Sequence, residues 1–219
     1  LSAEIDGETL FSKININLAK GDKTFIYSRD SRATTAFYEI VNGKQAQKSG
    51  DYEWGITTSQ SYLPNDNSEF FDNKLTLVDW LRQWAKTDEE REEVYIRGFL
   101  GKMLFRGDES LKTADVLSGG EKVRCMLSRM MMIRANVLIF DEPTNHLDLE
   151  SITAFNNALT NYKGNVIFTT HDHQFAQTVA NRVIELTPNG VIDKYATFEE
   201  YMSDPTVKTQ REKLMAETA

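Results

Sequence analysis

The stretch Asn136–Phe140 sets the tightest limit on the fold. It is near-continuously apolar, has the length of a strand and ends in two acids, Asp141 and Glu142. A strand with apolar side chains on both faces must be covered on both, as in a parallel sheet flanked by helices. The surrounding chain alternates as such a sheet requires. Ile14, Ile16 and Leu18 alternate with polar neighbours, and Thr24–Tyr27 follows the turn at Gly21-Asp22, predicting two strands in the first thirty residues. A polar loop, Ser28 to Ala33, leads into a helix predicted over Thr34–Val41 and closed by Asn42-Gly43. Asp51–Gln60 reads as a strand, Glu150–Tyr162 as an amphipathic helix and Val166–Thr169 as a strand ending just before His171. Arg182–Leu186 and Val191–Lys194 form a predicted hairpin turning at Pro188-Asn189-Gly190.

Between Leu75 and Ser110 the pattern turns helical. Leu77, Trp80, Leu81 and Trp84 share one face, and Val94, Phe99 and Met103 follow in a second segment opened by Asp88, predicting a smaller helical lobe. After Leu117-Ser118-Gly119-Gly120 another helix carries Val123, Met126, Leu127 and Met130 as a core-facing stripe. Strands alternating with helices imply an α/β sheet whose ligands collect at the carboxyl ends of the strands. Three polar clusters are predicted at such ends: the loop from Ser28, the Asp141-Glu142 pair and His171.

Composition narrows the class further. With 40% hydrophobic and 26% charged residues, 4 Pro and 12 Gly among 219 residues, collagen-like and disordered chains are excluded. A formal net charge of −8 argues against a broad basic face for nucleic acid. The single Cys125 forms no internal disulfide, no apolar run reaches membrane-spanning length and Leu1–Gly7 lacks the features of a secretory signal, so a cytoplasmic protein is expected. The Leu start and the charged end predict a piece of a longer chain.

Asp141 is placed to hold Mg²⁺ through oxygen ligands while Glu142 orients or deprotonates a water. Gly119 and Gly120 remove side chains, so that backbone amides and the Ser118 hydroxyl can approach a phosphate at a helix N-terminus. A plain capping box between Ser118 and Glu121 is the alternative reading of the same residues.

Together, Leu117-Ser118-Gly119-Gly120-Glu121, the run Val137 to Asp148 containing Glu142-Pro143-Thr144-Asn145-His146-Leu147-Asp148, and Thr170-His171-Asp172 resemble the nucleotide-binding domain of ATP-binding cassette (ABC) proteins. The wording Glu-Pro-Thr-Asn-His-Leu-Asp is similar to the F subfamily, soluble tandem-cassette ATPases acting on the ribosome, and the lobe and hairpin resemble the YbiT-type second cassette. The resemblance implies an ABC-type P-loop NTPase core with a mainly parallel sheet, N-terminal antiparallel strands and a small helical subdomain at about 72–116, within a domain of residues 1–202 followed by a charged tail, 203–219. It implies ATP and Mg²⁺ as ligands, with Asp141 in the magnesium shell, Glu142 polarising water, His171 at the γ-phosphate and Gln60 sensing magnesium. Leu147 and Asp148 would lie in the loop signalling across a cassette pair.

The phosphate loop departs from this pattern. Where G-x-x-x-x-G-K-[ST] is expected, the chain reads Ser28-Arg29-Asp30-Ser31-Arg32-Ala33-Thr34-Thr35. Ser28 and Ala33 replace glycines, Thr34 replaces the lysine, and Thr35 keeps the hydroxyl that serves magnesium. Arg29 and Arg32 supply charge, but not from the lysine's position. The aromatic that stacks on adenine falls near Ile5, with Phe11 further on. In the family two cassettes face head to tail, so the signature segment Leu117–Glu121 closes over ATP held by the partner cassette. The resemblance therefore implies an impaired own site, an isolated domain with weak or no ATPase activity, and an intact contribution to the partner's site. Ribosome or RNA contacts are expected mainly from outside this chain, with Lys208, Arg211 and Lys213 in a solvated tail. A non-catalytic pseudo-cassette and a transporter's ATP-binding subunit remain the alternatives.

Overall fold

The structure, a computed structural model, describes residues 1–216. Strands β1 (Ala3–Ile5) and β2 (Glu8–Phe11) make a separate antiparallel pair. The main sheet contains β3 (Lys23–Tyr27), β4 (Gln60–Leu63), β5 (Val137–Phe140), β6 (Asn165–Phe168), β7 (Arg182–Thr187) and β8 (Gly190–Lys194), in the order β4-β5-β6-β3-β7-β8. Every pairing is parallel except β7 with β8.

All four residues of β5 are buried, which is why the run carries no polar face. Val137 and Ile139 point into a core shared with α1 (Ser31–Val41) and the β1–β2 pair, while Leu138 and Phe140 join the core on the other side. That second core is built by α5 (Gly119–Ile133), α6 (Leu149–Asn161), α7 (His173–Val179) and α8 (Phe198–Ser203). The helical lobe comprises α2 (Leu77–Arg82), α3 (Asp88–Arg91) and α4 (Glu93–Lys102), and Trp80 and Leu81 bury its expected face. On α4 the buried residues are Ile96 and Leu100, and of the expected stripe Met103 is buried and Phe99 packs on the core, whereas Val94 is exposed.

Two expected strands are not strands. Along Ile14–Leu18 the burial alternates as predicted, yet the backbone joins no ladder. The Ile14 amide donates to Leu1 O and Asn17 O accepts from Arg182. Alternation requires one covered face, whereas a strand also requires a free edge alongside. Asp51–Ser59 is irregular and largely exposed, and strand β4 starts only at Gln60.

Beyond Ser203, helix α9 (Pro205–Ala216) packs on the domain, and Val207 and Arg211 are buried. Arg211 is thus not solvated: its Nε donates to Glu185 Oε1 and Oε2 at 2.7 and 2.8 Å. The expected tail's residues 217–219 lie outside the described residues.

Candidate functional site

Parallel pairing brings the carboxyl ends of β5 and β6 side by side, and with them the residues that follow. The Asp141 amide donates to Leu63 O and the Thr169 amide to Phe140 O, so the ladder carries one residue past the strands. Thr169 then bridges the acids: its hydroxyl donates to Asp141 Oδ1 and accepts from the Glu142 amide, both at 3.1 Å. Glu142 adopts a left-handed backbone, φ 51°, a conformation costing a side-chain-bearing residue roughly 1–2 kcal/mol. Its Oε2 accepts the His171 amide at 3.1 Å, and Oε1 lies 3.5 Å from His171 Nε2. Asp141, Glu142 and His171 therefore meet, as the sequence predicted.

Burial raises the pKa of Asp141, against the Thr169 hydrogen bond that lowers it and with Glu39 raising it further. Burial also raises Glu142, opposed mainly by His171. A carboxylic acid with a folded-state pKa above its unfolded value loses stability as pH rises through the folded pKa. Asp141→Asn should therefore raise the melting temperature at pH 8 and bring little gain near pH 4. Equal gains at both pH values in thermal melts would contradict this account.

The altered phosphate loop takes a form the sequence did not foretell. Helix α1 starts at Ser31, three residues before the predicted start, so only Ser28-Arg29-Asp30 separates it from β3. Asp30 caps the helix, its Oδ1 accepting the Arg32 amide at 2.9 Å, and Arg32 turns its guanidinium back onto Asp30 and Glu8. A helix N-terminus favours one anion; here the chain's own carboxylate supplies it. Ser28 donates to Leu186 O, Ala33 is wholly buried, and the Thr34 hydroxyl is turned back to Ser31 O. Arg29 and Thr35 are exposed.

The signature segment presents the opposite picture. Ser118 caps α5 and forms a capping box with Glu121, so the expected alternative is realised. The amides of Gly119 and Gly120 belong to the first turn, whose N–H groups find no acceptor inside a helix. Beside them opens a cleft of about 300 Å³ lined by Ser118, Gly119, Gly120, Arg124, His146 and Asp148. Both glycines are also needed by the neighbouring loop: a Cβ on Gly120 would lie 2.4 Å from His146 O, and one on Gly119 3.3 Å from the His146 ring. Leu147 packs on the core and Asp148 caps α6 through the Ser151 amide at 2.8 Å.

Gln60 is not part of either cluster. It opens β4 beside Val137, whereas Leu63, beside Phe140, closes the strand. Four residue steps of strand, about 13 Å, separate it from the acidic pair, and its amide donates to Thr58. The expected strand 51–60 would have ended at Gln60; the observed one begins there. Pro64-Asn65-Asp66 instead emerges at the carboxyl end, a position that the proline after Leu63 could have signalled. Phe11, wholly buried against Phe37, is closed to a base, while Ile5 is half-buried. A residue that no pattern flagged is Tyr38: fully buried on α1, its hydroxyl has no hydrogen-bond partner, and burial first and then the charge of Asp141 raise its pKa.

A mainly parallel sheet with an acidic pair and a histidine at its strand ends, and a glycine-started helix beside a separate cleft, defines the class of nucleotide-binding cassettes. The chain belongs to the ABC transporter family, whose profile matches residues 31–145. It is 50% identical over 99% of its length to YkpA, an ABC transporter ATP-binding protein of Bacillus subtilis, and covers 40% of that protein. It is 37% identical to the ATP-binding protein YbiT of Escherichia coli O157:H7, over 92% of this chain and 38% of YbiT. With ABC transporter F family member 2 of Arabidopsis thaliana the identity is 29%, over 97% of this chain and 31% of that one. The chain thus spans about two fifths or less of these relatives. Its fold matches the dimeric structure of MJ0796, a bacterial ABC transporter cassette, with a TM-score of 0.69 at 16% identity, covering 89% of this chain and 94% of that one.

Cassettes of this family bind ATP. The residues at β3 and α1 do not fit a triphosphate, because the short loop leaves no ring of free amides and Asp30 holds the anion seat. The cleft beside Gly119 and Gly120 instead presents first-turn amides next to the side chains of Arg124 and His146. Among the described residues no group of three or more His, Cys, Asp or Glu is arranged to hold a metal.

Proposed function

We propose that this chain is an ABC-F, YbiT-like cassette, the second of a tandem ATPase acting on the ribosome. It closes over ATP held by its partner cassette more than it holds ATP itself. The contrast between α1, where the Asp30 carboxylate occupies the N-terminus, and α5, where Gly119 and Gly120 line an open cleft, carries the reading. The similarity to YbiT and to an F family member, with the Asn145-His146 wording, supports the subfamily. In this reading residues 1–202 are the cassette domain with its lobe at about 72–116, and 203–219 is an appended segment whose described part is anchored by Arg211. Glu142 and His171 are the catalytic candidates, and Leu117–Glu121, Leu147 and Asp148 face the partner's nucleotide. No helix among the described residues is long and apolar enough to cross a membrane, and we take the setting to be cytoplasmic, with RNA contacts made mostly outside this chain.

The first test is titration of the chain with fluorescent ATP and Mg²⁺. No saturable micromolar binding is expected, and Thr35→Ala should change nothing. Micromolar binding abolished by Thr35→Ala would overturn the proposed division of labour. Asp30→Ala should lower stability by about 1 kcal/mol through loss of the cap, measured by urea unfolding.

The self-capped loop also favours a second reading, a pseudo-cassette that only docks onto a true ATPase. Under it, changes at Ser118 would leave the partner's turnover intact, which separates the two.

A further inference from the structure

The turn between β7 and β8 holds a reactive pair that plays no part in nucleotide handling. Asn189 is followed by Gly190. Glycine has no side chain to screen its backbone nitrogen, so in this dipeptide that nitrogen is the one best able to attack the asparagine side chain. In the folded chain the attack is blocked from two distant places. The Ser12 hydroxyl donates to Pro188 O at 2.6 Å, and the Asn189 side-chain amide donates to Leu214 O on α9 at 2.7 Å. The Leu214 side chain also covers the glycine: a Cβ on the buried Gly190 would lie 3.1 Å from Leu214 Cδ2. Helix α9 is held in turn by buried Val207 and by Arg211 on Glu185.

The chain has a second Asn-Gly pair, Asn42-Gly43, at the end of α1. There the locks are local. The Gly43 amide donates to Ile40 O at 2.9 Å, which commits the attacking nitrogen, and the Asn42 side chain donates to Tyr38 O at 2.8 Å. Both bonds lie within four residues and persist while α1 is folded. The lock on Asn189 belongs to a different element, and terminal elements open locally more readily than a central sheet.

We propose that Asn189 is a self-modifying site whose deamidation is gated by α9. When the helix lifts, the Gly190 nitrogen gives its proton to solvent and forms a bond to Asn189 Cγ. The bond from Cγ to the side-chain nitrogen breaks, and that nitrogen leaves as ammonia with a proton from water. Water then opens the cyclic imide at either carbonyl, leaving aspartate or isoaspartate at position 189. One water is consumed and one ammonia released, and nothing is oxidised or reduced. The product is a carboxylate, an acceptor without a donor, and it faces Leu214 O, another acceptor. The bond that seated the helix cannot re-form. A reversible opening of α9 thereby becomes a lasting one.

The test incubates the 219-residue chain in mildly alkaline buffer and follows isoaspartate at both Asn-Gly pairs by mass spectrometry of the digested protein. Arg211→Ala releases the helix, and Leu214→Gly uncovers the turn without stranding a buried charge. Each should raise the rate at Asn189 about tenfold or more, the factor expected for losing a bond of this kind, and leave the rate at Asn42 unchanged. Asn189→Asp, which matches one product, should speed hydrogen exchange of the α9 amides about tenfold. Equal acceleration at Asn42 and Asn189 would assign the rate to global unfolding and overturn the proposal. No product at Asn189 in any of the three proteins, or unchanged α9 exchange in Asn189→Asp, would overturn it as well.

Discussion

In the full-length protein, Ser118→Arg should lower ATP turnover by roughly two to three orders of magnitude, the range seen when a donor to developing charge is removed. The chain's own phosphate loop is untouched by this change. Ser118 stands at the mouth of the cleft beside Gly119 and Gly120, and an arginine would fill the space a phosphate must enter. Loss of the Ser118 cap alone costs only about 1 kcal/mol, so the fold should survive, and Ser118→Thr, which keeps the hydroxyl, should stay close to wild type. Gly120→Ala offers an independent route to the same loss, because its Cβ would collide with His146 O and push the Leu147-Asp148 loop outward. Phosphate release with all three variants is the measurement. Wild-type turnover in Ser118→Arg would remove the proposed role of this segment and leave the pseudo-cassette reading.

Arg211→Ala should destabilise the domain by about 3–5 kcal/mol, the cost of leaving a buried charge without its partner. Glu185 is 0% exposed, and its carboxylate is held by the Arg211 guanidinium and by the Tyr201 hydroxyl at 2.7 Å. For a chain of this size each kcal/mol shifts the melting temperature by roughly 2–4 °C, so a fall of about 6–20 °C is expected. The double variant Glu185→Leu with Arg211→Met should recover most of the loss, since replacing both members of a buried pair by apolar groups is often neutral. A loss below about 1 kcal/mol in Arg211→Ala would mean that α9 does not clasp β7 as described.

Much of the site was legible in the chain because it depends on local order along strands. The apolar run Val137–Phe140 ends at Asp141 whatever its neighbours are, and Val166–Phe168 ends before His171 in the same way. Parallel pairing then makes adjacency of the two ends almost unavoidable. The helix start at Ser118 was equally plain, since caps are read within four residues. Gln60 went astray for a complementary reason: its place depended on which end of β4 it occupied, and an alternating segment shows its faces but not its limits.

Composition, strand periodicity and capping chemistry thus determined an α/β sheet with an acidic pair, a histidine and a glycine-started helix, because each is written in neighbouring residues. Only tertiary packing decided that Ile14–Leu18 would find no ladder and that Arg211 would be buried against Glu185. Those outcomes rest on contacts between residues far apart in the chain, Asn17 with Arg182 and Glu185 with Arg211, and no local pattern encodes a partner at such a distance.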